Sequence, residues 1–424
     1  MLSQGEGMRQ MLSATGTSMR RLAKGLGAVA LLLCSLTCVS LQAVAQAPRR
    51  GIENPAALSS FFKALDEMKN GHRMEPVRVA HYGDSHTAAD ILTADIRRQF
   101  QREFGDGGPG YLIARNPFST PRRGVASGAT NGWSIDGIGK NAGNDGFYGL
   151  AGISLTTEKA DERMWLETSC NHFDVYFLRW PGGGTIDITV DGASVLNQPM
   201  SLNSDLPEPD YFQYDMPSSS SHRIEIRTLK PGRTRILGIV AEHIAPRSGV
   251  SYDVLGINGA RLVRLLSWNS NTLADNVIER SPDLIILAYG TNEVTDDNWT
   301  VESYAHLLGE ILDRFRRAAP KASIIVFGPP DRADNPLAGS KMPQLIEAQR
   351  RAAKLAGAAF WCSYDAMGGS GAMNSWVTQG LGQGDHVHLT GPGYLKMGDM
   401  FYEDLMKAYA AAKAKSRPPT AASR

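Results

Sequence analysis

Four short segments of this chain, residues 77–82, 283–289, 323–327 and 359–361, are apolar almost without interruption, and helical periodicity flanks them. A strand with one face in water alternates apolar and polar residues. An unbroken apolar run needs cover on both faces, which a parallel sheet between helical layers supplies. Helices are expected over 55–69, with Leu58, Phe61, Phe62, Leu65 and Met68 on one side, and over 88–104, with Ile91, Leu92, Ile96 and Phe100 aligned. Others are expected over 272–279, 301–319, 342–356 and from 392 past Tyr409. The pattern predicts an α/β domain whose ligands bind at the carboxyl ends of its strands.

The middle of the chain obeys a different period. Beyond Gly152, short β-type runs at 164–167, 173–178, 185–190, 223–227 and 236–240 are separated by Gly, Asp, Asn and Pro, with Asp191-Gly192 as a hairpin turn. This predicts a β-sandwich inserted at 120–248, which splits the α/β domain into segments 48–119 and 249–412 and leaves a flexible tail at 413–424. Residues 1–47 read as a signal peptide: Arg20, Arg21 and Lys24 precede an apolar run over 26–41, and Ala43-Val44-Ala45 or Ala45-Gln46-Ala47 offers a cleavage site. The expected mature chain is periplasmic or secreted, with no stable membrane span once the signal is removed. Cys34 and Cys38 would leave with that signal, and Cys170 and Cys362 are expected as two isolated buried thiols. The 44 basic and 43 acidic side chains nearly cancel, so no global field favours nucleic acid.

The first apolar run ends in His81-Tyr82-Gly83-Asp84-Ser85-His86, a strand, a tight turn and a helix start that together present a serine hydroxyl. Such a hydroxyl attacks only when a base takes its proton, and the base must itself be oriented. Alone, the triplet reads as a helix N-cap before it reads as a nucleophile. Far downstream, Asp385-His386-Val387-His388 offers an acid and two imidazoles. His388 is the preferred base, because residues three apart can turn toward each other where a loop enters a helix; His386 is the rival, adjacent to Asp385. Asn292, in Gly290-Thr291-Asn292-Glu293, can donate its side-chain amide to a developing oxyanion, and Gly259 can donate its backbone N–H. The same carboxylates and imidazoles also admit a two-metal phosphoesterase, which would survive loss of Ser85.

Taken in order, Gly83-Asp84-Ser85, Gly259, Gly290-Thr291-Asn292 and Asp385-His386-Val387-His388 resemble the four signature blocks of the SGNH/GDSL hydrolase superfamily. The resemblance implies a flavodoxin-like three-layer α/β/α fold, with Ser85 as nucleophile and Asp385 and His388 completing the triad. It also implies an oxyanion hole made by Ser85, Gly259 and Asn292, with no cofactor or metal. Glu293 departs from the aspartate usual after that asparagine. The insert and the export signal look more specifically like bacterial peptidoglycan O-acetylesterases, whose insert resembles a carbohydrate-binding jelly roll. The implied partner is an O-acetylated glycan, peptidoglycan in particular. An O-acetyltransferase using the same triad and a non-enzymatic glycan-binding protein are the alternatives; for the latter, Trp133, Trp165, Trp180, Tyr148 and Tyr211 could stack on sugars, and Arg227, Lys230, Arg233 and Arg235 could meet an anionic polymer.

Overall fold

The computed structural model describes residues 51–118, 122–137, 145–246 and 248–416; the expected signal peptide lies outside them. Five strands form a parallel sheet: β1 (Val77–Gly83), β2 (Val250–Gly256), β3 (Leu284–Ala288), β4 (Ser323–Gly328) and β5 (Ala359–Cys362). Their spatial order is β2-β1-β3-β4-β5, that of a doubly wound α/β sheet. Side chains alternate between two cores. Val79, Tyr252, Leu284, Ile286, Ile325 and Phe327 join the core shared with helices Ser59–Lys69, Leu92–Phe104 and Gly391–Ser416. Tyr82, Leu255, Ile285, Leu287, Ile324 and Val326 join the opposite one, with helices Ser270–Arg280, Val301–Ala318 and Pro336–Leu355. The apolar runs are continuous because both faces of the sheet are covered.

Two helices depart from the periodicity reading. The stretch expected as one helix over 88–104 is a single turn, Ser85–Ala88, followed by Leu92–Phe104, with Asp90 at φ +45° between them. A non-glycine residue there costs about 1–3 kcal/mol. The buried Asp90 carboxylate offsets that cost by accepting from Thr93 Oγ1 at 2.9 Å, Arg122 at 3.0 Å and the Arg123 N–H at 3.1 Å. The helix expected from 342 starts at Pro336, where the Asn335 side chain accepts from the Ala338 N–H at 2.8 Å, and it carries Pro343 within it.

Among the described residues, the middle of the chain forms an antiparallel network of ten strands. Its spine is the pair Arg163–Arg179 and Glu208–Lys230, with Thr234–Glu242 on the other side of the first. The network begins with Gly110–Leu112, which pairs with Thr234–Glu242, so it recruits residues before 120. Tyr111, Tyr176 and Val240 from this sheet, with Leu150 from a turn that leads into it, share a core with Trp268, Leu273 and Val277. Cys170 and Cys362 are both free and buried, and burial pushes the Cys170 thiol up to about 12. Among the described residues no helix is long and apolar enough to cross a membrane.

A buried charge network fastens the two sheets to each other. Arg280 donates to Asp253 at 2.8 Å and Glu242 at 2.6 Å, and Arg78 donates to Glu242 at 2.8 Å. Burial opposes the Glu242 charge, but the two guanidinium groups hold its carboxyl well below the usual range. Removing one member of such a network strands the others without water. Glu242→Ala is therefore expected to lower unfolding free energy by about 3–5 kcal/mol in denaturant titrations; a loss below about 1 kcal/mol would show that the network does not fasten the sheets.

Candidate active site

β1, β2 and β3 end level: Gly83 pairs in register with Gly256 on one side and Ala288 on the other. The loops that follow these strands therefore meet at one edge of the sheet. A Cβ on Gly83 would lie 2.0 Å from Thr87 Oγ1 and 2.9 Å from the Ala288 carbonyl oxygen, so the turn into the next helix admits only glycine. Asp84 caps that turn by accepting from the His86 N–H at 3.0 Å, and Ser85, half-buried, opens the helix.

Ser85 Oγ lies 2.9 Å from His388 Nε2, and His388 Nδ1 lies 2.7 Å from Asp385 Oδ2. The other carboxylate oxygen of Asp385 accepts from the N–H groups of Val387 and His388, both at 3.0 Å, which fixes the carboxylate before it meets the ring. Burial opposes ionisation of Asp385, yet the His388 ring and these N–H groups hold it down to about 2. An acceptor at Nδ1 places the imidazole proton there and turns the Nε2 lone pair toward Ser85. The loop is closed by Gln383, whose N–H donates to the His388 carbonyl at 2.8 Å and whose side chain donates to the Leu389 carbonyl at 2.8 Å. His386 has φ +56° and places Nδ1 2.9 Å from Asn374 Oδ1, so its ring is engaged there. The side chains of His388 and Asp385 are 35% and 45% exposed, leaving the site open to a bulky substrate.

Gly259 lies in the loop after β2, with φ +70° and, its chain neighbours aside, no atom of the described residues within 4 Å of where a Cβ would stand. The loop after β3 is braced against it. Asn292 Nδ2 donates to the Ala260 carbonyl at 2.9 Å, Glu293 Oε1 accepts from the Leu262 N–H at 2.7 Å, and Arg261 pairs with Asp296 at 2.6 Å. An amide nitrogen carries two protons, so Asn292 retains one for a further acceptor. Beneath these loops lie two buried carboxyls, Asp84 and Glu293, which burial raises to about 6 and about 7. His86, buried beside them, places Nδ1 2.9 Å from the Tyr394 hydroxyl, and burial pushes it down to about 3, so its ring stays neutral. Arg332 donates to the Thr291 carbonyl and to both oxygens of Asp334. Pattern reading brought in His86 and Glu293 only for the two-metal alternative and did not single out Arg332, because their contacts depend on partners distant in sequence; the other signal at Glu293 was its departure from aspartate.

The aromatic residues of the second sheet divide. Trp133 and Tyr148 are buried, while Trp165 and Trp180 are half-buried and carry Arg223 and Arg233 over their rings at 4.1 and 4.0 Å. Tyr211 packs edge-on against Tyr176, with ring centres 4.7 Å apart. The expected basic patch is largely paired with carboxylates: Arg227 with Asp161, Arg233 with Asp145, and buried Arg235 with Asp136 and Asp145. Among the described residues no three His, Cys, Asp or Glu side chains converge as a metal site.

The profile of the GDSL-like lipase/acylhydrolase family matches residues 230–396, which contain Gly259, Asn292, Asp385 and His388; Ser85 lies beyond the inserted sheet. No curated protein matches the chain. A solved structure of a peptidoglycan O-acetylesterase is 25% identical with a TM-score of 0.72, over 85% of this chain and 99% of that one. A family two carbohydrate esterase from Cellvibrio japonicus is 13% identical with a TM-score of 0.29, over 68% of this chain and 98% of that one.

Proposed function

We propose that the chain is a member of the SGNH/GDSL hydrolase superfamily and a serine esterase removing O-acetyl groups from a cell-envelope polysaccharide, O-acetylated peptidoglycan in particular. The observation that carries this reading is the Ser85–His388–Asp385 relay, with links of 2.9 and 2.7 Å, at the sheet edge that also bears the Gly259 and Asn292 loops. The substrate class is supported by the likeness to a peptidoglycan O-acetylesterase, which extends over both sheets.

Ser85 Oγ attacks the acetyl carbonyl while His388 Nε2 takes its proton, and Asp385 stabilises the resulting imidazolium. The oxyanion is met by the N–H groups of Ser85 and Gly259 and the second amide proton of Asn292; one such donor contributes on the order of 10²–10³ in rate. His388 returns the proton to the departing sugar oxygen, leaving acetyl-Ser85. Water, deprotonated by the same imidazole, then releases acetate. None of these steps calls for a cofactor.

The insert between hydrolase segments 48–119 and 249–412, read as a jelly-roll-like sandwich over 120–248 that also takes in Gly110–Leu112, would flank the site and help seat the glycan. An exported chain would meet such a polymer in the periplasm or outside the cell. Acetate release from O-acetylated peptidoglycan, acetylated xylan and a chromogenic acetyl ester tests the assignment. The expected order puts peptidoglycan first in kcat/KM. Equal values for the two polymers would remove the peptidoglycan assignment and leave the esterase.

A further inference from the structure

We propose that Glu293 is a positioning residue for the oxyanion site: its carboxyl clamps the 257–262 loop through the Leu262 N–H and so sets where the Gly259 N–H and the Asn292 amide point. The inference rests on the esterase reading above. It starts from the way the two loops are held. The loop after β3 is anchored from its own side, because the Glu293 carbonyl accepts from Trp299 Nε1 at 2.8 Å and from the Asp296 N–H at 3.0 Å. The loop after β2 is tied to the nucleophile turn at its start, where the Ile257 N–H donates to the Gly83 carbonyl at 3.0 Å.

Between that tie and Leu262 lies exposed Gly259, whose left-handed backbone has open space above it. Ala260, next to it, donates its N–H to the Ile257 carbonyl at 3.0 Å and accepts from Asn292 at 2.9 Å, but a glycine so placed keeps conformational freedom unless the far end of its loop is fixed as well. Leu262 is that far end, and its N–H meets Glu293 Oε1 at 2.7 Å in a buried setting. The same residue follows Asn292 directly, so one side chain registers both oxyanion donors against each other. An aspartate would reach about 1.5 Å less, too little to span the gap without moving a loop.

A purely structural carboxyl would be expected to satisfy both oxygens, whereas Glu293 Oε2 is buried and, among the described residues, meets no donor from another residue. The cost is tolerated where it fixes geometry at a reacting centre. Glu293 faces Asp84 from the nucleophile turn, Arg261 from its own partner loop, Tyr289 beyond the end of β3 and Tyr304 from helix Val301–Ala318. Burial raises its carboxyl to about 7 and the Asp84 charge adds to the rise, so the clamp acquires a second buried negative charge as pH passes neutrality.

Three variants separate positioning from mere packing. E293Q keeps an acceptor of the same reach without the charge, E293D shortens the reach, and E293A removes the acceptor. On a chromogenic acetyl ester, E293A is expected to lose roughly 10–100-fold in kcat with KM within about twofold, the scale of a misplaced catalytic group. E293Q should stay within about threefold of wild type and show a flatter kcat profile across neutral pH, with E293D between the two. Amide hydrogen exchange should find Leu262 protected in wild type and E293Q but faster in E293A. Wild-type kcat and Leu262 protection in folded E293A, or equal losses in E293Q and E293A, would overturn the clamp. If E293A does not fold, E293D against E293Q decides: equal kcat in those two overturns it. Absence of Ser85-dependent hydrolysis in wild type would instead remove the esterase reading, and this inference with it.

Discussion

Replacing Ser85 by alanine is expected to lower kcat on any acetyl ester by roughly 10⁴–10⁶-fold, the scale seen when a triad nucleophile is removed. The fold should not notice. Among the described residues Ser85 Oγ hydrogen-bonds to His388 Nε2 alone, and His388 keeps its other bond to Asp385 and the loop bonds that hold its backbone. The change in unfolding free energy should therefore stay within about 0.5 kcal/mol. Any remaining rate would come from Gly259 and Asn292 polarising a bound ester toward water, without an acyl intermediate. A burst of alcohol release that precedes acetate should be visible in wild type and absent in Ser85→Ala. If the variant hydrolysed substrate at wild-type rate, a hydroxyl-independent chemistry, such as the two-metal alternative, would replace the proposed mechanism.

The parallel sheet was legible because continuous apolar runs have few other uses in a chain of this size, and β1, β3, β4 and β5 lie where those runs stand. β2 was less visible, since Asp253 interrupts it; that carboxylate is buried because Arg280 meets it from a helix and the Tyr111 N–H meets it from the second sheet. The second sheet illustrates the same limit. Runs read as separate at 164–167 and 173–178 belong to one strand, Arg163–Arg179, because backbone pairing with Glu208–Lys230 resumes on either side of an irregularity between Asp215 and Ser220, a junction that no apolar alternation marks. Asp90 broke a helix for partners at Arg122 and Arg123, which local periodicity cannot register. At the site, Ser85, Asp385 and His388 were nameable from type and spacing, as were Gly259 and Asn292. The supports were not: the Leu262 N–H that Glu293 holds, the Thr291 carbonyl that Arg332 holds and the Tyr394 hydroxyl beside His86 are contacts made by folding.

Asp385→Asn is expected to cost about 10⁴-fold in kcat while leaving the loop in place, the size of effect that follows when a triad imidazole is presented in the wrong tautomer. The reasoning is local. Asp385 Oδ1 accepts two backbone N–H groups, and an asparagine oxygen can do the same, so the turn through Val387 and His388 should persist. The other position changes from an acceptor to an NH₂ donor facing His388 Nδ1. That donor favours the ring with its proton on Nε2, and a protonated Nε2 cannot accept from Ser85. Asp385→Ala would leave the two N–H groups without their acceptor as well, and should lose stability that the asparagine variant keeps. Because wild-type Asp385 is held at about 2, it stays ionised through the range in which an esterase would be assayed. Its bonds contribute stability above the unfolded value of 3.8, lost only as pH falls toward 2. Loss of activity in mildly acidic buffer must then come from another group, and should remain when salt is raised. Retention of activity within tenfold by Asp385→Asn, with Ser85 still required, would mean that His388 takes its orientation from the surrounding loop and not from this carboxylate.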